Sequence, residues 1–433
     1  MTRPLAAFLL ALLVAPAAAA PEVQRWTRPE GTRIQLAENH ELPMLDVRID
    51  FAAGAAWDPP GKSGVAALTN ALLDAGAGQG GEQLDEHALA DRLADIAAQL
   101  GGGIDDDRAS LSLRVLSTPA ERDRAVALMS LVLARPTFPA SVLNRERQRS
   151  IAALRESRST PGGRLAEAFA PAVYGDHAYG RVSNEASLAR ISRRDLLDFH
   201  QRYYTRANAL ITLVGDIRRS EAEALVSTLL AGLPRGSTPT ALPRPNPSAG
   251  RMLRLAMDSS QAHIALGLPA VPRDDPDLLA LSVGNHVLGG GGFNSRLMKE
   301  IRDARGLAYG VSSGFDAQAF GGVFAIQLET RATQADEAVK VVRETLARFL
   351  REGPDEAELE AARTNLINSL ALSLDSNAKL LGELADLGFY RRPADSLETY
   401  PARVRAVTLE QVRAAFARHV NPEQLVTVIV GGR

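Results

Sequence analysis

The sequence predicts an α+β chain built from two halves of the same plan, and three landmarks carry that expectation. The tetrapeptide Asn70-Ala-Leu-Leu73 is answered by Asn285-His-Val-Leu288 at an offset of 215 residues. Pro139 and Pro354 each open a helical pattern at the same offset, and an apolar strand ending at Gly215 is matched 216 residues later by one ending at Gly431. Landmarks that recur in one order at one spacing point to a duplicated unit of about 210 residues. Within each unit, strands and helices alternate irregularly, the pattern of an α+β fold and not of a regular βαβ wind.

The first element is a candidate signal peptide, residues 1–19. Arg3 supplies a positive n-region, Leu5 to Ala15 an apolar h-region, and the four alanines after Pro16 a small-residue cleavage site, with Pro21 favouring a cut after Ala19. This stretch is too short to span a bilayer, and no later run of about 18 apolar residues follows it. The expectation is an exported, periplasmic protein without an integral membrane segment.

Residues 20–233 form the predicted first half. Thr32 to Leu36 and Met44 to Phe51 read as strands around the turn-rich Ala37 to Pro43 segment. Gly54 to Gly64 is a loop with two prolines, and Val65 to Leu73 a helix of small residues. A second helix is expected from His87 to Leu100, stopped by Gly101, Gly102 and Gly103. Leu111, Leu113 and Val115 alternate with Ser112, Arg114 and Leu116 as a strand. Helices over 119–134, 141–157, 163–173 and 192–203 then lead to the buried-looking strand Ala209 to Val214. Residues 234–249, PRGSTPTALPRPNPSA, are proline-rich and aperiodic, and so read as an extended linker.

The second half, 250–433, contains the most informative stretch, LGGGGFNSRLMKEIRDARGLAYG from Leu288 to Gly310. Gly289, Gly290, Gly291 and Gly292 free the backbone for φ > 0 and for close approach to another chain, which makes them candidate substrate-binding positions. Asn294 or Ser295 can cap a short helix carrying Leu297, Met298 and Ile301 on one side, and Gly306 stands where a helix terminator is expected. Leu307, Tyr309 and Val311 then alternate with small residues as a strand. Arg302 in the last helical turn and Tyr309 on the departing strand converge from one corner. Further on, Phe324, Ile326 and Leu328 alternate as a half-buried strand, and Thr333 with Asp336 reads as a capping box for a helix to Leu350. Leu359, Ala362, Leu366 and Leu370 form the apolar face of the helix after Pro354.

Composition excludes several classes of function. At 45 % hydrophobic and 23 % charged, the 433 residues can bury an ordinary globular core. A net charge of −2 offers no field for a phosphate backbone, and 5 % aromatic residues leave little to stack on bases, so nucleic acid is not an expected partner. There is no cysteine to serve as disulfide, nucleophile or metal ligand. The seven histidines, His40, His87, His177, His200, His263, His286 and His419, include no pair at i, i+3 or i+4. The segment GAAWDPPGKS, Gly54 to Ser63, has six residues between its glycines where a phosphate-binding loop needs four.

The strand, GKSG turn and helix, the proline-rich linker and above all SRLMKEIRDARGLAYGV resemble the pitrilysin/insulinase family of zinc metallopeptidases, whose members include the mitochondrial processing peptidase. The resemblance implies two homologous α+β halves enclosing a peptide-binding chamber. Catalytic members carry an inverted His-x-x-Glu-His motif, in which two histidines on one helical face hold zinc and the glutamate acts as general base. This chain has Ala67, Asn70 and Ala71 at those places, and Glu146, 75 residues beyond Ala71, where a third ligand would fall; alone on a charged helix it reads as an ion-paired side chain. No metal or other cofactor is expected on this chain. The family's Arg and Tyr, seven residues apart, are matched by Arg302 and Tyr309, which makes these the candidate catalytic residues. The resemblance therefore implies a non-zinc subunit that binds unfolded peptide and supplies Arg302 and Tyr309 to the zinc site of a homologous partner. The alternative is a stand-alone peptide-binding or scaffold protein without peptidase function. Retention of both Arg302 and Tyr309 favours the first reading.

Overall fold

Strands and helices follow from where apolar residues recur, and the structure, a computed structural model, describes residues 22–432. The predicted signal segment lies outside the described residues. In the first half, β1 (Val23–Thr27), β2 (Arg33–Glu38) and β3 (Met44–Phe51) precede α1 (Val65–Ala71). A two-residue ladder of β4 (Gly76–Ala77) and β5 (Leu84–Asp85) leads into α2 (Glu86–Ala94), whose first turn is capped by the Asp85 carboxylate. Next come β6 (Gln99–Ile104) and β7 (Ala109–Leu116), the helices α3 (Pro119–Ala134), α4 (Ala140–Arg158), α5 (Pro161–Tyr174), α6 (Glu185–Ala189) and α7 (Arg193–Tyr203), then β8 (Ala209–Gly215) and α8 (Arg219–Leu230). Residues 234–251 carry neither helix nor strand.

The second half runs through β9 (Met252–Leu255), β10 (Gln261–Ala270), α9 (Leu278–Asn285), α10 (Arg296–Met298), β11 (Ala308–Ala317) and β12 (Gly322–Arg331). It closes with α11 (Ala335–Glu352), α12 (Glu356–Leu372), α13 (Asn377–Phe389), α14 (Ser396–Ala406), α15 (Leu409–His419) and β13 (Val426–Val430). The sheets have the orders β1-β2-β8-β3-β7-β6 and β11-β12-β10-β13-β9. Read backwards, the second runs β9-β13-β10-β12-β11 and falls strand for strand on β2-β8-β3-β7-β6. Strand directions agree as well: β2 with β8 and β9 with β13 are parallel, and the other neighbours are antiparallel. Every residue of β8 and β13 is buried, which is why these two central strands read as continuous apolar runs and not as alternations.

Each sheet is covered by a helix of the opposite half. On the second sheet, Ala172 and Val173 of α5 join Val426, Val428 and Val430 in one apolar cluster. Gly267 of β10 leaves room for the Phe169 ring, since a Cβ there would lie 2.5 Å from it. On the first sheet, Leu380, Leu381 and Leu384 of α13 pack on Ala37 and Val214. Gln35 Nε2 donates to Leu384 O at 2.8 Å and Arg33 Nη1 to Gly388 O at 2.5 Å. A fully buried leucine contributes roughly 2 kcal/mol, so Leu380, Leu381 and Leu384 add several kcal/mol of burial across the two halves.

Three expectations need correction. The helix expected over His87 to Leu100 ends at Ala94, and Gly101, Gly102 and Gly103 are inside edge strand β6. There Gly102 passes so close to α1 that a Cβ would lie 2.8 Å from Asn70 Oδ1, so this glycine answers to space and not to helix termination. Thr333 and Asp336 form no capping box: α11 begins after Gln334 without a side-chain cap, and Asp336 pairs with Arg254. The reciprocal box is at Asp355 and Glu358 of α12. Leu366 and Leu370 of α12 are half-buried beside the fully buried Leu359 and Ala362. Strands β1, β9 and β10 are elements the sequence reading did not assign.

The turn between β6 and β7, Asp105-Asp106-Asp107, forms the polar seam between the halves. Asp107, buried, accepts hydrogen bonds from Tyr179 Oη at 2.5 Å, Tyr390 Oη at 2.9 Å and Ala319 N at 2.8 Å. Asp106 accepts from Gln318 Nε2 at 2.8 Å. Desolvation first, then the nearby Asp107, Asp105 and Asp316 carboxylates, outweigh that hydrogen bond and push the Asp106 pKa from 3.8 up to about 6. The folded state therefore holds this proton more tightly than the unfolded chain, and the stability it contributes falls as pH rises from about 4 to 6. Asp106→Asn should raise the melting temperature at pH 7.5 and flatten its decline between pH 4 and 6, followed by thermal scans across that range. A lower melting temperature for the variant at pH 7.5 would contradict the assignment.

Candidate functional site

Two surfaces correspond to the residues singled out by sequence. The first is α1, where Ala67 and Ala71 stand exposed one turn apart and Asn70 is buried. Asn70 Nδ2 donates to Ser110 O at 3.1 Å and to Tyr204 Oη at 3.4 Å. In the second half Asn285, at the matching place on α9, donates to Ser313 O at 2.9 Å and accepts from Ser313 Oγ at 2.6 Å. Both asparagines tie a helix to a strand, so Asn70 is a structural anchor turned inward. Two methyl groups and a committed amide offer zinc no ligand and water no base, and the residues present do not fit the metal.

The neighbouring groups are also engaged. Glu146 on α4 sits between Arg145 at 3.0 Å and Arg149 at 3.8 Å, and Arg145 also holds Glu86 at 2.7 Å. The amides that open α1 are taken by Asp58, which accepts from Gly64 N at 2.6 Å and Ala66 N at 2.7 Å. Desolvation pushes the Asp58 pKa up to about 6 despite those two bonds. A carboxylate thus occupies the place a phosphate would need.

The second surface is the corner from Leu288 to Val311. The glycine run is not a left-handed loop. His286–Gly290 is a π-helical turn continuing α9, and only Gly292 of the four has φ > 0, at +59°. Gly289 is buried, and a Cβ on it would lie 2.4 Å from Ser313 Oγ. Ser295, not Asn294, caps α10: its Oγ accepts from Met298 N. α10 then widens into a second π-helical turn, Lys299–Asp303, which carries Arg302. Gly306, at φ +59°, ends it, its amide donating to Arg302 O at 2.9 Å.

Simple alternation along the next strand fails at Tyr309. Ala308 pairs with Thr330 and Val311 with Leu328, so Tyr309 and Gly310 form a bulge. The bulge turns Tyr309 outward to 84 % exposure while Leu307 and Val311 stay buried. Arg302 and Tyr309 do meet: Arg302 Cζ lies 5.3 Å from the Tyr309 ring centroid. It also lies 4.7 Å from the centroid of Phe293, a ring that is 66 % exposed. Among the described residues, the Arg302 guanidinium has no ion pair or hydrogen bond. Beside this corner, a groove of about 720 Å³ opens between α5 and the face of β10, β12 and β11. Leu165, Phe169, Met298 and Val311 line it, together with Phe293 and Tyr309.

The profile described as peptidase M16 inactive domain matches residues 190–366. A crystal structure of a peptidase M16 inactive domain from Pseudomonas fluorescens superposes with a TM-score of 0.90 at 37 % identity, covering 95 % of this chain and 98 % of that one. This chain belongs to the M16 peptidase family. Among curated relatives, an uncharacterized zinc protease of Mycobacterium bovis is 30 % identical over 280 residues, 63 % of each chain, so the match spans under two thirds of that relative's length. A protein of Helicobacter pylori described as a non-peptidase homolog is 23 % identical over 401 residues, covering 92 % of this chain and 91 % of that one.

Two features of this M16 chain escaped sequence reasoning. Phe293 was passed over because nothing in its spacing ties it to Arg302 nine residues later. Asp275, Asp277 and His419 are the one group with metal-ligand spacing among the described residues. They come from distant segments, and Arg418 already pairs with Asp277 through two 2.8 Å bonds, which puts a cation of the protein's own there. No helix among the described residues is long and apolar enough to cross a membrane.

The α1 geometry makes a direct prediction. The purified chain should contain no stoichiometric zinc by elemental analysis and show no chelator-sensitive peptidase activity. Ala67→His with Asn70→Glu and Ala71→His should bind zinc weakly, because metal-bound imidazoles need partners that orient them and the nearby Glu146 is already engaged by Arg145 and Arg149. Replacing Asn70 also removes the bond to Ser110 O, so the triple variant should melt below the wild type. Family-like hydrolysis by the triple variant would contradict this.

Proposed function

We propose that this chain is the zinc-lacking subunit of an exported, heterodimeric M16 metallopeptidase. It binds unfolded peptide and lends Arg302 and Tyr309 to the zinc site of a homologous partner. The carrying observation is the contrast between the two surfaces: α1 offers no group that could hold or use zinc, while an exposed Tyr309 stands beside a half-buried Arg302 whose guanidinium is unpaired among the described residues. Unpaired donors at an exposed corner suit a ligand that arrives from outside. The two sheets of matching order support a duplicated pair of halves joined through residues 234–249, with a peptide chamber closed by the partner.

In the assembled enzyme the partner's zinc would supply the activated water. This chain's residues would do the rest of the work at the carbonyl. The guanidinium edge and the phenol are hydrogen-bond donors, and aimed at a peptide oxygen they favour the charge that develops there during hydrolysis. The cleft would take an extended backbone, whose carbonyls Arg302 contacts already before reaction.

The test begins with co-purification from the native envelope, where a zinc-bearing M16 chain is expected to accompany this one. In the reconstituted complex, Tyr309→Phe keeps the ring and removes one donor, and should lower kcat by about 10²-fold. Arg302→Ala should act on both KM and kcat, since its contacts exist in the ground state as well. Wild-type kinetics for both variants in a correctly assembled complex would leave a peptide-binding or scaffold role in place of the shared site.

A further inference from the structure

We infer that Phe293 is a positioning residue for Arg302, holding the guanidinium by its face so that its N–H edge is presented to a peptide carbonyl or carboxylate. The inference rests on the reading of Arg302 as a peptide-binding group. Its observations are independent of that reading. Phe293 is 66 % exposed, although a benzyl side chain gains most when buried, and it stands in the short turn Gly292–Asn294 directly after the left-handed Gly292. Arg302 Cζ lies 4.7 Å from its ring centroid, closer than the 5.3 Å to Tyr309.

Nearby arginines show what Arg302 lacks. Arg296 is paired with Glu358 at 2.6 Å, and Arg305 with Glu300 at 2.5 Å, the same carboxylate that holds Arg348 at 2.7 Å. Glu358 and Glu300 are thus taken, and among the described residues the Arg302 guanidinium is held by two aromatic rings. Rings satisfy the face of a guanidinium without using its five in-plane N–H donors. A carboxylate partner would fix the side chain equally well but would occupy those donors. The aromatic arrangement therefore limits the rotamers Arg302 must give up on binding while leaving its hydrogen-bonding edge free. It also turns Gly292 and Ser295 into indirect determinants, because the left-handed glycine and the capped helix set where Phe293 stands relative to Arg302.

The purified chain is titrated into a fluorescein-labelled peptide of mixed sequence without regular structure, and binding is read by anisotropy. The variants are Phe293→Leu, Phe293→Tyr, Arg302→Ala and the double change Phe293→Leu with Arg302→Ala. Phe293→Leu should weaken binding by about 3- to 30-fold, Phe293→Tyr should restore it, and the double variant should bind no worse than Arg302→Ala. The ring-current shift on the Arg302 Nε–H resonance should be of similar size in the wild type and the Tyr variant and clearly smaller in the Leu variant, where the Tyr309 ring alone remains. If Arg302→Ala weakens binding but Phe293→Leu does not, or if their effects multiply in the double variant, the positioning role is overturned. If Arg302→Ala binds as the wild type does, the peptide-site reading itself fails, and this inference with it.

Discussion

Neither sheet of this protein is complete without a helix from the opposite half, and that exchange governs the rest of the molecule. α5 covers β10 and β13 while α13 covers β8 and β3, so the inner faces of both sheets are paid for across the seam. The seam is then locked by one buried carboxylate. Asp107 accepts from a phenol of each half and from a backbone amide of the second. A buried carboxylate tolerates such a place only when its lone pairs are filled, and two of its three donors come from the second half. The groove beside Tyr309 is a direct consequence, since one of its walls is α5 of the first half and the other is the sheet of the second.

Within that frame α1 and α9 are fixed by the same device. Asn70 and Asn285 each tether a helix to a strand carbonyl, so the first half has adopted on α1 the device that the second uses on α9. What a catalytic M16 helix would direct at zinc is here turned into packing. The pair singled out by sequence lies at the second corner, where two π-helical turns, a left-handed glycine and a strand bulge shape the backbone around an exposed Tyr309 with Arg302 next to it. The second π-helical turn carries Arg302 and the bulge carries Tyr309, whereas the first turn and Gly292 lie ten or more residues before the pair.

The plan of the fold was legible because it rests on period and repetition. Strands β3 and β8, helices α3 to α5 and the spacing of Asn70 with Asn285 follow directly from apolar periodicity and an offset. Where the reading failed, a tertiary constraint overrode local preference. Gly101, Gly102 and Gly103 look like a helix terminator, yet they lie in an edge strand, where Asn70 leaves no room for a side chain at Gly102. The run Gly289 to Gly292 looks like a flexible loop, yet Gly289 and Gly290 continue a helix in a crowded place. Arg302 and Tyr309 were found through a family pattern, whereas Phe293 required coordinates, because a contact between an aromatic ring and a guanidinium across a π-helical turn has no characteristic spacing. The strands β1, β9 and β10 were missed for the related reason that charged or small residues interrupt their alternation.

The central claim, that Tyr309 faces a second chain's zinc site, is tested most directly by replacing Tyr309 with a benzoylphenylalanine photo-crosslinker in the native host. At 84 % exposure the side chain reports on what lies outside its own chain. The account predicts light-dependent crosslinks to a homologous M16 chain, mapping to peptides around its zinc-motif helix. Crosslinks confined to this chain, or to proteins without a zinc motif, in cells where the protein is folded and abundant, would contradict it.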